Sequence, residues 1–322
     1  MRFTGNLTGC ICNKLVFSYF FNAYTLKKYL CSFFIGRGVG GMCAAVPRVA
    51  CINDLSGYGR CSLTMALPVL SVMGVQACPV PTAVLSKHTG FSHFSFTDLT
   101  DALPAYLKSW NDLQFDMIYS GFLGSERQMS LLKEFFEFQK AKNPACRILL
   151  DTVMGDDGKL YSTYTKALCD SMRELVQHAD IITPNVTEAC LLTGTPYHGE
   201  SLHTAEAVAL GDQLLSLGCG AVVITGIVRE DMICNMTYTG GEPEFSVIHR
   251  TKCLYSGTGD LFASVLCGAL AVGQPLAEAV ETAGSFLSAV TQYTLKQNTP
   301  AEEGVLFEPL LRTLPETLTS SR

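Results

Sequence analysis

The stretch Ser256-Gly257-Thr258-Gly259-Asp260-Leu261-Phe262 opens an apolar run, through Ala263, Val265 and Leu266, with the spacing of a buried helix. Glycines at a helix start let backbone N–H groups point at one place, and the helix dipole favours an anion there. Phosphoryl transfer spreads negative charge over the transferring oxygens, and such an N–H cluster stabilises that charge. Asp260 stands at the rim of the cluster, where a carboxylate can take the proton of an attacking hydroxyl. The plainer alternative is a glycine turn with Asp260 as an ordinary helix cap. By itself the stretch leaves both readings open.

Other polar stretches each follow a short apolar run. Asp151-Thr152-Val153-Met154-Gly155-Asp156 is one, and Thr183-Pro184-Asn185-Val186-Thr187-Glu188 is another. Asn185 and Glu188 are three apart, so one helical turn puts both on the same side. Carboxylates there suit Mg²⁺, which keeps several waters and binds through one or two acids plus substrate phosphates. Taken alone, Glu188 reads more readily as a first-turn acid that complements the helix dipole. Ser86-Lys87-His88-Thr89-Gly90-Phe91 is a polar turn, and a lone histidine such as His88 is more often structural than catalytic. Gly57-Tyr58-Gly59-Arg60-Cys61-Ser62 falls one residue short of the dinucleotide fingerprint. That fingerprint needs an acid about 20 residues on, and residues 75–97 contain no Asp or Glu. A dinucleotide-dependent dehydrogenase is thereby set aside.

The elements that must position these residues alternate. Strands are expected at 49–53, 75–80, 117–119, 148–150, 181–183 and 221–225, and an antiparallel hairpin at 233–238 and 244–248. Helices are expected at 61–73, 126–141, 260–272 and 276–297. Such alternation implies a mostly parallel sheet with helices on both faces, and short, wholly apolar strands suit a sheet buried on both sides. In open α/β sheets ligands bind beyond the carboxyl ends of the strands, where the polar stretches above fall.

Composition narrows the function classes. Of the 322 residues 48% are hydrophobic and 16% charged, enough for a sizeable core. No uncharged apolar run reaches the roughly 18 residues of a membrane span. The net charge of −6 and the absence of a basic run argue against nucleic acid, whose binding rests on phosphate neutralisation. The 14 cysteines are scattered, mostly within apolar runs (Cys51, Cys78, Cys190, Cys219, Cys267). Without zinc-site spacing or a clear secretory signal they read as reduced, buried thiols in a cytoplasmic protein.

The stretches DLSGYG (54–59), SKHTGF (86–91), SGFLGS (120–125), DTVMGD (151–156), TPNVTEA (183–189) and SGTGDLFAS (256–264), in this order and spacing, resemble the pyridoxal/pyridoxamine kinase family of the ribokinase-like superfamily. The resemblance spans about residues 49–290. It implies a single three-layer α/β/α domain, a homodimer, and ATP-dependent phosphorylation of the 5′-hydroxymethyl group of a vitamin B6 compound. Mg²⁺ with ATP, and a monovalent cation such as K⁺ as activator, are implied with it. On the family's pattern Asp260 falls on the catalytic base and Gly257, Thr258 and Gly259 on the anion hole. Asn185 and Glu188 fall on the element that organises metal and phosphate. Asp151, Asp156 and Thr225 fall on nucleotide- and metal-side positions. Thr89, His88 and Phe122 fall on the vitamin pocket, beside Asp54 and Ser56.

Four residues depart from the family's usual pattern: Asp54 for a serine facing the pyridine ring, Lys87 for an asparagine, Phe122 for a tyrosine and Thr152 for a proline. They bear on which vitamer is preferred. Two rivals stay in view: a hydroxymethylpyrimidine kinase, whose family typically has cysteine at the position of Asp260, and a non-catalytic binding protein on the same fold. A binding protein has no need of a base beside an anion hole.

Residues 1–41 differ from the rest: no Asp or Glu, five basic residues and three cysteines. Their apolar stretches are broken by Asn22 and the Lys27–Lys28 pair, so no clean signal-peptide core forms. Gly38-Val39-Gly40-Gly41 is what a purine-rich ribosome-binding site gives when translated in frame. The expected organisation is therefore a non-domain leader over 1–41, from a start site placed upstream of Met42, and one kinase domain over 42–322; a targeting peptide is the alternative. A chain beginning at Met42 should melt within a few degrees of the full-length chain, and a large loss of melting temperature would overturn the division.

Overall fold

The computed structural model describes residues 46–250 and 255–315, so the expected leader lies outside the described residues. The first half runs β1 (Arg48–Ser56), α1 (Ser62–Val72), β2 (Gln76–Leu85), β3 (Phe96–Asp98), α2 (Leu103–Lys108), β4 (Met117–Ser120), α3 (Glu126–Lys142) and β5 (Arg147–Leu150). Then come β6 (Gly155–Asp156), β7 (Lys159–Leu160), α4 (Lys166–Val176), β8 (Ile181–Ile182), α5 (Val186–Thr193) and α6 (Thr204–Leu215). The last part is β9 (Ala221–Arg229), β10 (Met232–Tyr238), β11 (Glu244–His249), α7 (Thr258–Ala271) and α8 (Leu276–Gln297), with 3₁₀ turns at Ala301–Glu303 and Glu308–Thr313.

One nine-stranded sheet has the order β11-β10-β9-β8-β5-β4-β1-β2-β3. Its centre, from β9 through β2, is parallel. The edges are antiparallel, β9-β10-β11 on one side and β2-β3 on the other. Successive residues of the central strands feed opposite cores, as a period of two requires. Val49, Cys51, Met117, Tyr119, Leu149 and Val223 pack with α1, α7 and α8. Ala50, Ile52, Ile118, Ile148, Leu150, Val222 and Ile224 pack with the helices α2 to α6. The result is the three-layer α/β/α arrangement expected.

Some differences have clear physical reasons. The second strand runs on to Leu85 although Pro79 and Pro81 interrupt its pattern. Proline lacks a donor and is tolerated where that side of the strand is unpaired; β3 pairs only with Ala83–Leu85, and the Pro79 carbonyl takes the Tyr106 hydroxyl instead (2.6 Å). The elements β3, α2, α4 and α6 were not foreseen. All nine described cysteines are free, most of them buried, as reduced thiols should be. Among the described residues no helix is long and apolar enough to cross a membrane.

The chain passes from β1 to β2 on one side and to β4 on the other, so the order reverses at β1. A crevice outside the carboxyl ends of the strands opens at such a point.

Candidate active site

The crevice is a cavity of about 590 Å³. Asp54 reaches it from the end of β1, Phe122 from beyond β4, Asp151 from beyond β5, Thr183 and Asn185 from beyond β8, and Thr225 from β9. The opposite wall is the turn 255–260 that begins α7. Every site residue expected from the sequence lines this space except Ser56, which is fully buried behind Asp54.

Gly257 caps α7 with φ of +77°, and a Cβ there would run into the Arg60 carbonyl oxygen. Only glycine gives this turn, which leaves the N–H groups of the first turn of α7 facing the cavity, without a side-chain cap. Gly259 is exposed, with nothing within 4 Å of where a Cβ would be. Asp260 follows in the first turn of the helix. Burial pushes its carboxyl up to about 6 and the charge of Asp54 adds to this, while the Ser62 N–H and the Asn53 amide pull it down.

Two residues here were not anticipated. Asn53, read from the sequence only as the last residue of a strand, is 1% exposed. Its Oδ1 accepts from the N–H groups of Asp54 (3.0 Å) and Phe122 (2.9 Å), and its Nδ2 donates to Asp260 (3.3 Å). One amide thus locks β1, the β4 loop and the candidate base together. Ser62 has φ of +50°, a conformation that costs a non-glycine residue energy. It places the Ser62 N–H beside Asp260 and its hydroxyl 2.5 Å from Asp54 Oδ1. A polar residue inside an apolar strand was the available signal for Asn53; nothing local marks Ser62.

Asp54 also accepts from Ser56 Oγ (2.7 Å). The turn backbone does not bind it: the Gly57 N–H goes to the Leu85 carbonyl. Burial raises its pKa, against the Ser62 and Ser56 hydroxyls. His88 lines the cavity with both ring nitrogens committed. Nδ1 accepts from the Gly90 N–H (3.1 Å), which leaves the proton on Nε2, 2.7 Å from the Glu302 carbonyl. Thr89 is exposed on the rim, and the Phe122 ring stands edge-on to Tyr164.

At the other end, Asn185 and Glu188 form a capping box for α5. Asn185 Oδ1 accepts from the Glu188 N–H (2.8 Å) and its Nδ2 donates to the Gly155 carbonyl (2.8 Å). Glu188 accepts from the N–H groups of Asn185 and Met154 (3.0 Å each) and from Thr152 Oγ1 (3.2 Å). The two residues therefore tie the 151–156 loop to the helix start. Burial lifts Glu188 to about 7 despite these donors. Asp151 takes the Thr183 hydroxyl (3.0 Å), and burial together with the charges of Glu188 and Asp260 raises it well above the usual range. Asp156 is exposed on the short β6-β7 hairpin. Thr225 and Gly226 bulge from β9 opposite Asn235, whose Oδ1 takes the Gly226 N–H (3.2 Å); such a bulge re-aims side chains.

Among the described residues, six that bear carboxyl groups (Asp54, Asp151, Asp156, Glu188, Glu200 and Asp260) and one arginine, Arg250, line the cavity. A polyphosphate entering alone would meet net repulsion, so the donor set fits a phosphate that arrives with a hard divalent cation. Among the described residues no group of three His, Cys, Asp or Glu could hold a metal unaided.

The family described as phosphomethylpyrimidine kinase matches residues 66–303. The Arabidopsis thaliana pyridoxal kinase is 31% identical over 265 residues, 77% of this chain and 82% of its own. The pyridoxine/pyridoxal/pyridoxamine kinase of Bordetella avium is 32% identical, over 71% of this chain and 79% of its own. Among solved structures, a Bacteroides thetaiotaomicron protein provisionally assigned as a phosphomethylpyrimidine kinase, crystallised with pyridoxal, superposes with a TM-score of 0.80 at 36% identity, covering 84% of this chain and 96% of that one. The Lactobacillus plantarum pyridoxal kinase gives 0.77 at 32% identity, covering 84% and 97%. With matches of this extent to the family and to its full-length relatives, the chain belongs to the pyridoxal kinase family of ribokinase-like enzymes.

Proposed function

We propose that the chain transfers the γ-phosphoryl group of ATP to the 5′-hydroxymethyl group of a vitamin B6 vitamer, with Asp260 as the base. The observation that carries this reading is the placement of Asp260 at the open N-terminal turn of α7, hydrogen-bonded by Asn53, in a cavity of about 590 Å³ lined by both groups of expected site residues. The vitamer lies at the end walled by Asp54, His88, Thr89 and Phe122. The nucleotide lies toward Asp151, Asn185, Glu188 and Thr225, with the γ-phosphoryl group at the turn of Gly257, Thr258 and Gly259. The vitamer hydroxyl then gives its proton to Asp260 as its oxygen attacks, and the N–H groups of the turn take up the charge on the transferring group. Asp151, Asp156 and Glu188 would hold Mg²⁺, partly through water, and the ion when bound offsets charge on the phosphates.

The reading includes a monovalent activator such as K⁺, a cytoplasmic setting and a homodimer. The side chains of Val84, Phe94 and Phe96, exposed near the β2-β3 edge, offer an apolar surface for the second copy. The hydroxymethylpyrimidine reading is disfavoured by Asp260, which replaces the cysteine typical there.

Asp260→Asn keeps the shape and removes the base, and should lower kcat by roughly 10²–10⁴ while ATP still binds. A variant that keeps more than about a tenth of kcat, with chemistry rate-limiting, takes that role from Asp260. The base must be ionised, so kcat/KM should fall as pH drops through about 6. Asn53→Ala removes a donor to the carboxylate and should move this limb upward; an unmoved limb would assign the ionisation elsewhere. Glu188→Gln should raise the Mg²⁺ concentration needed for half-maximal rate, and an unchanged Mg²⁺ titration would count against its role.

Asp54 gives the fourth test. An ionised aspartate only accepts hydrogen bonds, so a ring nitrogen meeting it must carry a proton. B6 rings supply one by binding as the pyridinium with the 3-oxygen ionised, and the contact is worth about 1.5–3 kcal/mol. Asp54→Asn should cut kcat/KM for the vitamer roughly 10- to 100-fold and leave the KM for ATP in place. No change in the vitamer's kcat/KM would restrict Asp54 to holding Ser56 and Ser62.

A further inference from the structure

The segment after α8 has no part in the reading above, yet it is bonded to three segments that border the acceptor end of the cavity. The Ser256 N–H donates to the Ala301 carbonyl (3.1 Å). The Glu302 carbonyl takes His88 Nε2 (2.7 Å). The Glu303 carbonyl takes both the Arg60 N–H (3.3 Å) and its guanidinium NH1 (3.2 Å). Arg60 Nε also pairs with Glu308 (2.6 Å), in the 3₁₀ turn that follows. Three consecutive carbonyls thus hold the β1-α1 loop, the 86–91 turn and the turn before α7. None of these bonds reaches Asn185, Glu188 or Thr225 at the nucleotide end.

The packing is as close as the hydrogen bonding. The Arg60 carbonyl oxygen is wedged between two glycines in left-handed conformations: Gly257 of the anion-hole turn (φ +77°) and Gly304 (φ +82°). A Cβ on Gly304 would stand 3.0 Å from that oxygen and 3.2 Å from the Ser256 carbonyl oxygen. A shift of 301–304 therefore moves Arg60 and, with it, the turn that carries the anion hole. The commitments of His88 point the same way, because neither ring nitrogen is left for a substrate.

We propose that residues 301–304 form a strap that sets the geometry of the acceptor site and the anion hole, with Arg60 and His88 as its positioning residues. Neither residue touches the reacting atoms through a ring or guanidinium nitrogen; each acts by fixing a loop that does. The inference rests on the vitamer end of the cavity being where the acceptor binds, as argued above.

The test separates the two substrates. Arg60→Ala removes the guanidinium link to Glu303 and the pair with Glu308, and should raise the KM for pyridoxal about tenfold while the KM for ATP stays within about twofold. Arg60→Lys, which keeps a cationic donor, should recover most of the loss. Equal changes in the two KM values, or no change in either, overturn the proposal, since a loss of general stability spares neither substrate.

If Arg60→Ala does not fold, hydrogen exchange on the full-length wild-type chain decides. Saturating pyridoxal without nucleotide should slow exchange at the Ser256, Glu303 and Gly304 amides about threefold or more, and a non-hydrolysable ATP analogue alone should not. Pyridoxal that binds, as followed by its absorbance, yet leaves those amides unchanged overturns the strap. A wild-type chain that neither binds nor phosphorylates pyridoxal overturns the vitamer reading instead, and the strap is then scored by the same two measurements with the hydroxymethylpyrimidine.

Discussion

Four carboxyl groups, Asp54, Asp151, Glu188 and Asp260, line one cavity, the first three buried and Asp260 partly so, and much of the surrounding structure serves to hold them there. Burial alone opposes their ionisation, and each lies high for that reason. The fold answers with donors. Asp54 has two serine hydroxyls, Asp260 has an asparagine amide and a backbone N–H, and Glu188 has two backbone N–H groups and a threonine. Asp151 is the least compensated, with the Thr183 hydroxyl and a neighbouring N–H against two nearby charges. A cation arriving with the nucleotide would offset that imbalance, so such a site trades stability when empty for affinity when filled.

The parallel sheet makes this crowding feasible. Its central strands all point their carboxyl ends the same way, so residues from five separate stretches of chain converge without any strand bending to reach them. The sheet is covered on both faces, and no site residue therefore has to emerge from a hydrophobic face. The plan is broken at Asp54, where the β1-β2 register shifts between Asn53 and Leu55, and at the edge. There the β9-β10 pair bulges at Thr225–Gly226, and Asn235 satisfies the N–H group that the bulge leaves free. Asn235 belongs to β10, the first strand of the hairpin that the sequence pattern indicated, whose own pairing with β11 is regular.

What was legible in the sequence was local. The glycine turn before Asp260, the Asn185–Glu188 spacing and the apolar strands each declare themselves within a few residues, since helix starts and buried strands have short-range chemistry. What was not legible depends on partners distant along the chain. Asn53 looks like the end of a strand until Phe122 and Asp260 are brought to it. His88 has no visible partner in the sequence until the Glu302 carbonyl, more than two hundred residues later, accepts the hydrogen bond of its Nε2–H. Ser62 occupies a strained backbone conformation that only the surrounding contacts maintain, and no sequence pattern marks such a residue. The helices α4 and α6 were missed although their sequence signal was present: Leu168, Met172, Leu175 and Val176 in α4, and Ala207, Leu210 and Leu214 in α6, recur at helical spacing on one buried face.

These long-range ties answer a problem any such kinase must solve. A base beside an anion hole activates water as readily as an alcohol, so the two must be fully aligned only when the acceptor excludes water. In this chain, alignment is not a property of the α7 turn alone. The Arg60 carbonyl is wedged between Gly257 and Gly304, and Ser62, two residues after Arg60, supplies the N–H beside Asp260. On the proposed reading the β1-α1 loop therefore carries a contact to the base, a contact to the anion-hole turn and, through Asp54, one wall of the acceptor pocket. An acceptor that settles against Asp54 acts on the same short loop that adjusts the base and the anion hole. That gives the catalytic groups a mechanical reason to respond to the acceptor ahead of the nucleotide.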